Sequence, residues 1–152
     1  MTPQERVTAA LARIPYARFL GVRAELKGDE LTLVLPFKDH LVGNPLLPAL
    51  HGGVVGALME LTAITQLAIA SKSERFAKTI DIGVDYLRSG RPTDTYARAR
   101  VIKIGRRIAN VQAEAWQNER GSGPRSRTRS PIPYCCLQFP PFSSARRTRT
   151  AG

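Results

Sequence analysis

The chain has 152 residues, of which 43% are hydrophobic, enough for one folded domain with its own core and too many for a disordered chain. Its net charge of +11 divides unevenly: residues 1–120 hold 17 basic and 12 acidic side chains, whereas residues 121–152 hold six arginines and no acid. Charges at Glu5 and Arg6 break any secretory signal, and Glu60, Thr62, Thr65 and Gln66 break the longest apolar run, so a cytoplasmic protein without a membrane span is expected.

Thr2-Pro3-Gln4-Glu5 has the form of a capping box with proline at the first helical position. Val7, Ala10, Leu11 and Ile14 follow at helical spacing, which predicts a short amphipathic helix ending near Pro15. "FLGVRAEL" and "ELTLVLPF" flank Lys27-Gly28-Asp29 and read as a strand hairpin. In its second arm Leu31, Leu33, Leu35 and Phe37 alternate, giving one buried face.

After a loop with Pro45 and Pro48, the run from Gly53 to about Ala70 is too long for a strand and apolar almost all round, so it predicts a buried central helix. "FAKTIDIGVDYLRSG" alternates, with Ile80, Ile82, Val84 and Tyr86 facing one way and Thr79, Asp81 and Asp85 the other. "TYARARVIKI" and "RIANVQAEAWQ" are two more strands joined across Gly105-Arg106. The order predicts an α+β fold in which one antiparallel sheet wraps a long central helix.

The central run opens with His51-Gly52-Gly53 and carries one charge, Glu60. The first turn of a helix has backbone N–H groups without internal partners and a partial positive charge, and glycines there let a ligand come close. Such a turn can hold a developing oxyanion, such as that of a thioester carbonyl; the plainer reading is that the glycines permit tight packing. An ionised carboxylate in apolar surroundings is costly unless paired or hydrated, which favours a working role for Glu60 over a structural one. Gly53 and Glu60 share a helix face but stand about 10 Å apart along the axis. One glutamate cannot easily serve a carbonyl held at its own helix start. Two such helices packed antiparallel about a two-fold axis bring each Glu60 to the other copy's Gly53, which predicts paired sites in a homodimer.

The spacing N-x-x-x-x-x-x-H-G-G-x-x-x-x-x-x-E, from Asn44 through His51-Gly52-Gly53 to Glu60, together with "TIDIGVDYLRSGRP" and "KIGRRIANVQAEAW", resembles the signature of the PaaI-like hotdog-fold acyl-CoA thioesterases. The likeness covers roughly residues 10–120 and departs at Pro48, where many members have glycine. It implies hydrolysis of an acyl-CoA to a free acid and CoA, in a homodimer or homotetramer, with no cofactor beyond the CoA of the substrate. By the same resemblance the Gly53 N–H would donate to the thioester oxygen. Glu60 of the other subunit would serve as nucleophile or general base, and Asn44 and His51 would orient the reacting groups. Thr79 would help position water; its alternative is an outward strand threonine. His51 could equally cap the helix with its ring bonded to a backbone carbonyl. Arg88, Lys103, Arg106 and Arg107 are candidates to meet the CoA phosphates, or else a solvated face. His40 has no assigned role. The adjacent Cys135 and Cys136 fit neither a disulfide framework nor C-x-x-C spacing, and no metal site is expected.

The family pattern implies one more interior strand after "NERG". Residues 121–152 instead hold 5 of the 11 prolines and a run of arginines, which suit neither an interior nor a buried strand. Shifting the codon frame turns CG-type arginine codons into small residues and TC-type serine codons into apolar ones. From Pro124 to Cys136 this restores a strand-like alternation. The expectation is a thioesterase-like domain over residues 1–120 and a frameshifted tail over residues 121–152. Two other readings stand beside it: a basic arm for nucleic acid, and "IPYCCLQF" paired in the vacant strand position. With an altered C-terminus the protein could also be a non-catalytic acyl-CoA-binding module.

Overall fold

The chain's computed structural model describes residues 2–73, 75–106 and 108–117, together with the backbone of residues 130–139. The capping box forms as its spacing requires. Thr2 Oγ1 accepts the Glu5 N–H at 3.2 Å and Glu5 Oε2 accepts the Thr2 N–H at 2.7 Å, opening helix α1 (Pro3–Ala12). The next stretch departs from expectation. Phe19 and Leu20, predicted to begin a strand, end a second helix, α2 (Pro15–Leu20). Pro15 starts it, and Gly21 stops it at φ 70°, a left-handed conformation that costs glycine little.

Strands β1 (Arg23–Lys27) and β2 (Glu30–Leu35) form the expected hairpin across Gly28-Asp29. A short ribbon of β3 (Val42–Asn44) and β4 (Ala49–Leu50) leads into the central helix α3 (Gly52–Ala70). The sheet is completed by β5 (Asp81–Asp85), β6 (Thr95–Ile104), β7 (Ala109–Gln117) and β8 (Ser130–Phe139). Its order is β1-β2-β6-β7-β8-β5 and every pairing is antiparallel. This is the α+β hotdog arrangement that the sequence predicts.

Leu31, Leu33 and Leu35 of β2 and the alanines at 97, 113 and 115 face Val55, Leu58, Met59 and Leu67 of α3 in one core. Small side chains on β6 and β7 let the helix lie close to the sheet. Strand β2 is buried on both faces rather than one, since Thr32 and Val34 are covered as well. Their cross-strand partners explain it: Arg98 donates to Thr32 at 2.8 Å, and Tyr96, opposite Val34, stacks on Trp116.

By length and composition α3 could cross a bilayer, yet eleven of its 19 residues are buried by the rest of the chain, as in a core helix. Its polar residues are satisfied inside. The Thr62 and Thr65 hydroxyls donate to the Leu58 and Leu61 carbonyls. The Gln66 amide accepts from the Leu31 N–H at 2.9 Å and donates to the Asp29 carbonyl at 2.8 Å, tying helix to hairpin.

Residues 130–139 occupy the interior position between β7 and β5, which is the vacant strand position where one reading of the sequence pairs "IPYCCLQF". The prolines are accommodated by register. Pro131 lies opposite Trp116, next to an irregularity between Glu114 and Trp116, and the doubly paired segment Tyr134–Gln138 contains no proline. The other residues of the tail, and Arg107, lie outside the described residues.

Candidate active site

The start of α3 is built by the ribbon before it. The His51 N–H donates to the Leu41 carbonyl and the Leu50 N–H to the Gly90 carbonyl, both at 2.9 Å, which fixes the direction in which the chain enters the helix. Gly43 lies directly against His51: a Cβ there would stand 2.9 Å from His51 Cα, so the contact admits only glycine.

His51 is the N-cap, and its Nδ1 accepts the Gly53 N–H at 3.0 Å. The ring thus caps through an amide donor rather than through a carbonyl, as the sequence had suggested. The Gly53 amide predicted to meet a thioester oxygen is therefore held by the histidine beside it. Asn44, on β3, is exposed, and its Oδ1 accepts the Leu46 N–H at 2.9 Å, bracing the turn that leads back to His51.

Glu60 sits half-buried, about two turns further along α3. Thr79 precedes β5 in irregular backbone, so strand alternation does not set its direction. Its hydroxyl donates to Glu60 Oε1 at 2.5 Å. Among the described residues Glu60 forms no ion pair, which leaves its second oxygen for a water or substrate.

The expected face of β5 is shorter than its alternation suggested. Ile80 and Tyr86 fall outside the strand, and Ile80, Ile82 and Tyr86 are 57%, 39% and 53% exposed, so only Val84 packs on the core. The sequence singled out no role for Tyr86. Its hydroxyl donates to the Gly52 carbonyl at 2.7 Å, at the first residue of α3. No periodicity could have announced that contact, which depends on where the end of β5 meets a helix made 30 residues earlier.

Among the described residues, the candidate phosphate-binding cations Arg88, Lys103 and Arg106 do not form one cluster. Lys103, on β6, stands level with Asp81 at the start of β5, with β7 and β8 between them, and Arg106 follows in the β6–β7 turn. Arg88 lies past the opposite end of β5. Among the described residues no group of three or more His, Cys, Asp or Glu is placed to hold a metal ion.

This arrangement has close parallels. The sequence profile of the thioesterase superfamily matches residues 47–123. The chain is similar to the medium/long-chain acyl-CoA thioesterase YigI of Escherichia coli strain K12, 31% identical over 121 residues, spanning 70% of this chain and 77% of that one. A solved protein from Chromobacterium violaceum matches at 30% identity with a TM-score of 0.64, over 91% of this chain and 98% of its own. A thioesterase family protein from Silicibacter pomeroyi shares the fold, with a TM-score of 0.74 at 22% identity, over 90% of this chain and 95% of its own.

Proposed function

The chain belongs to the thioesterase superfamily and is a hotdog-fold thioester hydrolase, and we propose that its substrate is an acyl-CoA, cleaved to a free acid and CoA. The reading rests above all on Glu60. It is the one carboxylate on the core helix, it is held by Thr79, and it shares a helix face with the amide-bearing start at Gly53. YigI is named for medium- and long-chain acyl-CoA, so those thioesters head the panel to be tried. A cytosolic location suits a substrate that carries several phosphate charges, and the PaaI-like signature of Asn44, His51, Gly53 and Glu60 supports the same assignment.

The working unit we propose is a homodimer, or a pair of dimers, with each site shared between subunits. Strand β5 is the sheet edge, joined to α3 by Thr79 before it, which reaches Glu60, and Tyr86 after it, which reaches Gly52; Ile82 on the strand and Ile80 just before it lie in the open. An unpaired apolar edge of this kind invites a second copy. Antiparallel pairing of two α3 helices would set Glu60 of one subunit near Gly53 of the other.

In such a site the thioester oxygen replaces the His51 ring as acceptor of the Gly53 N–H. Negative charge forming on that oxygen meets the partial positive charge of the helix start. Glu60 takes a proton from water, the hydroxide attacks the carbonyl carbon, the C–S bond breaks, and the proton passes to the departing thiolate. Direct attack by Glu60 through an anhydride gives the same products. Label found in Glu60 after a single turnover in ¹⁸O-water identifies the anhydride route, since water must then have attacked the glutamyl carbon of the anhydride. Thr79 fixes the rotamer of the carboxylate in either case, and Asn44 holds the turn that aims His51. Of the candidates for the CoA phosphates, Arg88 lies past one end of β5 while Lys103 and Arg106 lie toward the other end of the sheet, so they would meet the phosphates as contributions from different parts of the assembly.

Thiol release from a panel of acyl-CoAs, with Glu60→Ala alongside, tests the proposal. Undiminished release by the variant would overturn the role of Glu60. Binding without release on every member would make the protein an acyl-CoA-binding module. For residues 121–152 we propose reading in a shifted frame, since their arginine- and proline-rich composition begins where the family match ends. DNA sequence around Gly121 decides it: relatives with an intact frame and the same arginines would refute it.

A further inference from the structure

One peptide group at the start of α3 is held from both sides. Its N–H belongs to Gly53 and is accepted by His51 Nδ1; its C=O belongs to Gly52 and accepts the Tyr86 hydroxyl at 2.7 Å. Tyr86 follows directly on β5, the strand whose approach also delivers Thr79 to Glu60. We infer that Tyr86 is a positioning residue for thioester hydrolysis, gripping the Gly52–Gly53 peptide so that the Gly53 N–H is aimed and polarised toward the substrate oxygen. The inference rests on the reading that this amide meets the thioester.

Packing alone does not account for the contact. The phenol is 53% exposed, so burying it contributes little to the core. The helix surface is nonetheless cut to fit it. A Cβ on Gly52 would lie 3.3 Å from Tyr86 Cζ, and one on Gly56, a turn later on the same face, would lie 3.4 Å from its hydroxyl. Gly52 thus leaves room for the ring beside its own carbonyl, while the Gly56 position would make only an ordinary contact. The physical effect runs through the amide itself. A donor on the C=O draws electron density from nitrogen, which strengthens the N–H as a donor; chained hydrogen bonds reinforce one another in this way. The same bond resists rotation of the peptide plane when substrate displaces the His51 ring. A donor held in place before reaction acts on the transition state more than on the ground state.

Tyr86→Phe removes the hydroxyl and keeps the ring. With the full chain and an acyl-CoA that the wild type hydrolyses, the variant should lose about tenfold in kcat while KM stays within about twofold, less than the loss of a whole oxyanion donor. In the ¹H–¹⁵N spectrum the Gly53 amide resonance should move while most others stay, which also reports that the variant is folded. Unchanged kcat, or a change confined to KM, overturns the inference, the latter because it marks Tyr86 as a binding surface. If the wild type releases thiol from no acyl-CoA, the proposed substrate falls, and the spectrum alone decides the grip. A shifted Gly53 resonance in Tyr86→Phe upholds it, and an unmoved one ends it.

Discussion

At the scale of single residues, the site depends on groups whose environment leaves little choice of substitute. Glu60→Gln keeps the shape and the acceptor for Thr79 but removes the charge, so kcat should fall by about 100-fold or more with the melting temperature nearly unchanged. Thiol release and a thermal melt measured together check both halves. Gly43→Ala should act in the opposite order. The new methyl would stand 2.9 Å from His51 Cα, which is backbone and cannot swing aside, so the ribbon must shift at a cost of about 1–3 kcal/mol. Activity is then lost through displacement of His51, and chemical denaturation reads the stability change. Sequence spacing singles out Glu60, Gly53, His51 and Asn44 as candidates, because helix geometry and motif fix their separations. It could not show that the Gly53 N–H is already engaged by His51, since that depends on one side-chain torsion. Nor could it orient Thr79, whose backbone is irregular just where strand alternation would have to apply.

At the scale of elements, polar side chains inside the apolar helix join pieces of the fold. Gln66→Leu should destabilise the protein by about 1–3 kcal/mol although leucine is the more hydrophobic residue, because the Leu31 N–H and the Asp29 carbonyl would lose their partner. Urea unfolding monitored by circular dichroism tests it; a stabilised variant would mean that water replaces the amide. Most elements were legible because their apolar period is long enough to be unambiguous: 19 residues for α3, ten for β6 and nine for β7. Helix α2 was not, since six residues hold too little periodicity to compete with the apolar look of "FLGV". Its signals were local ones, Pro15 at the start and Gly21 at the stop. The buried outer face of β2 escaped for a different reason, being made by side chains of β6 that are distant in sequence.

At the scale of the whole molecule, the exposed edge of β5 predicts assembly. Ile82→Lys places a charge on that edge and should convert the proposed homodimer to a monomer in analytical ultracentrifugation, with loss of thiol release in the same sample. A dimer that persists with full activity would direct attention to another face. The α+β class and the wrapped helix were readable from element order, whereas the outcome for the tail was not. Arginines and prolines argue against an interior strand, and only register shows how the prolines are placed at its irregular start. The place of β8 also sets a timetable. Strand β5 leaves the ribosome some 45 residues ahead of the partner that anchors it to the sheet, a wait of roughly 2–9 seconds at ordinary elongation rates. During that interval the nascent polypeptide has its glycine-rich helix start and its glutamate, while Thr79 and Tyr86 hang on an unmoored ribbon. Translation halted between the end of β7 and Ser130 should therefore yield a product with every motif residue present and no working catalyst.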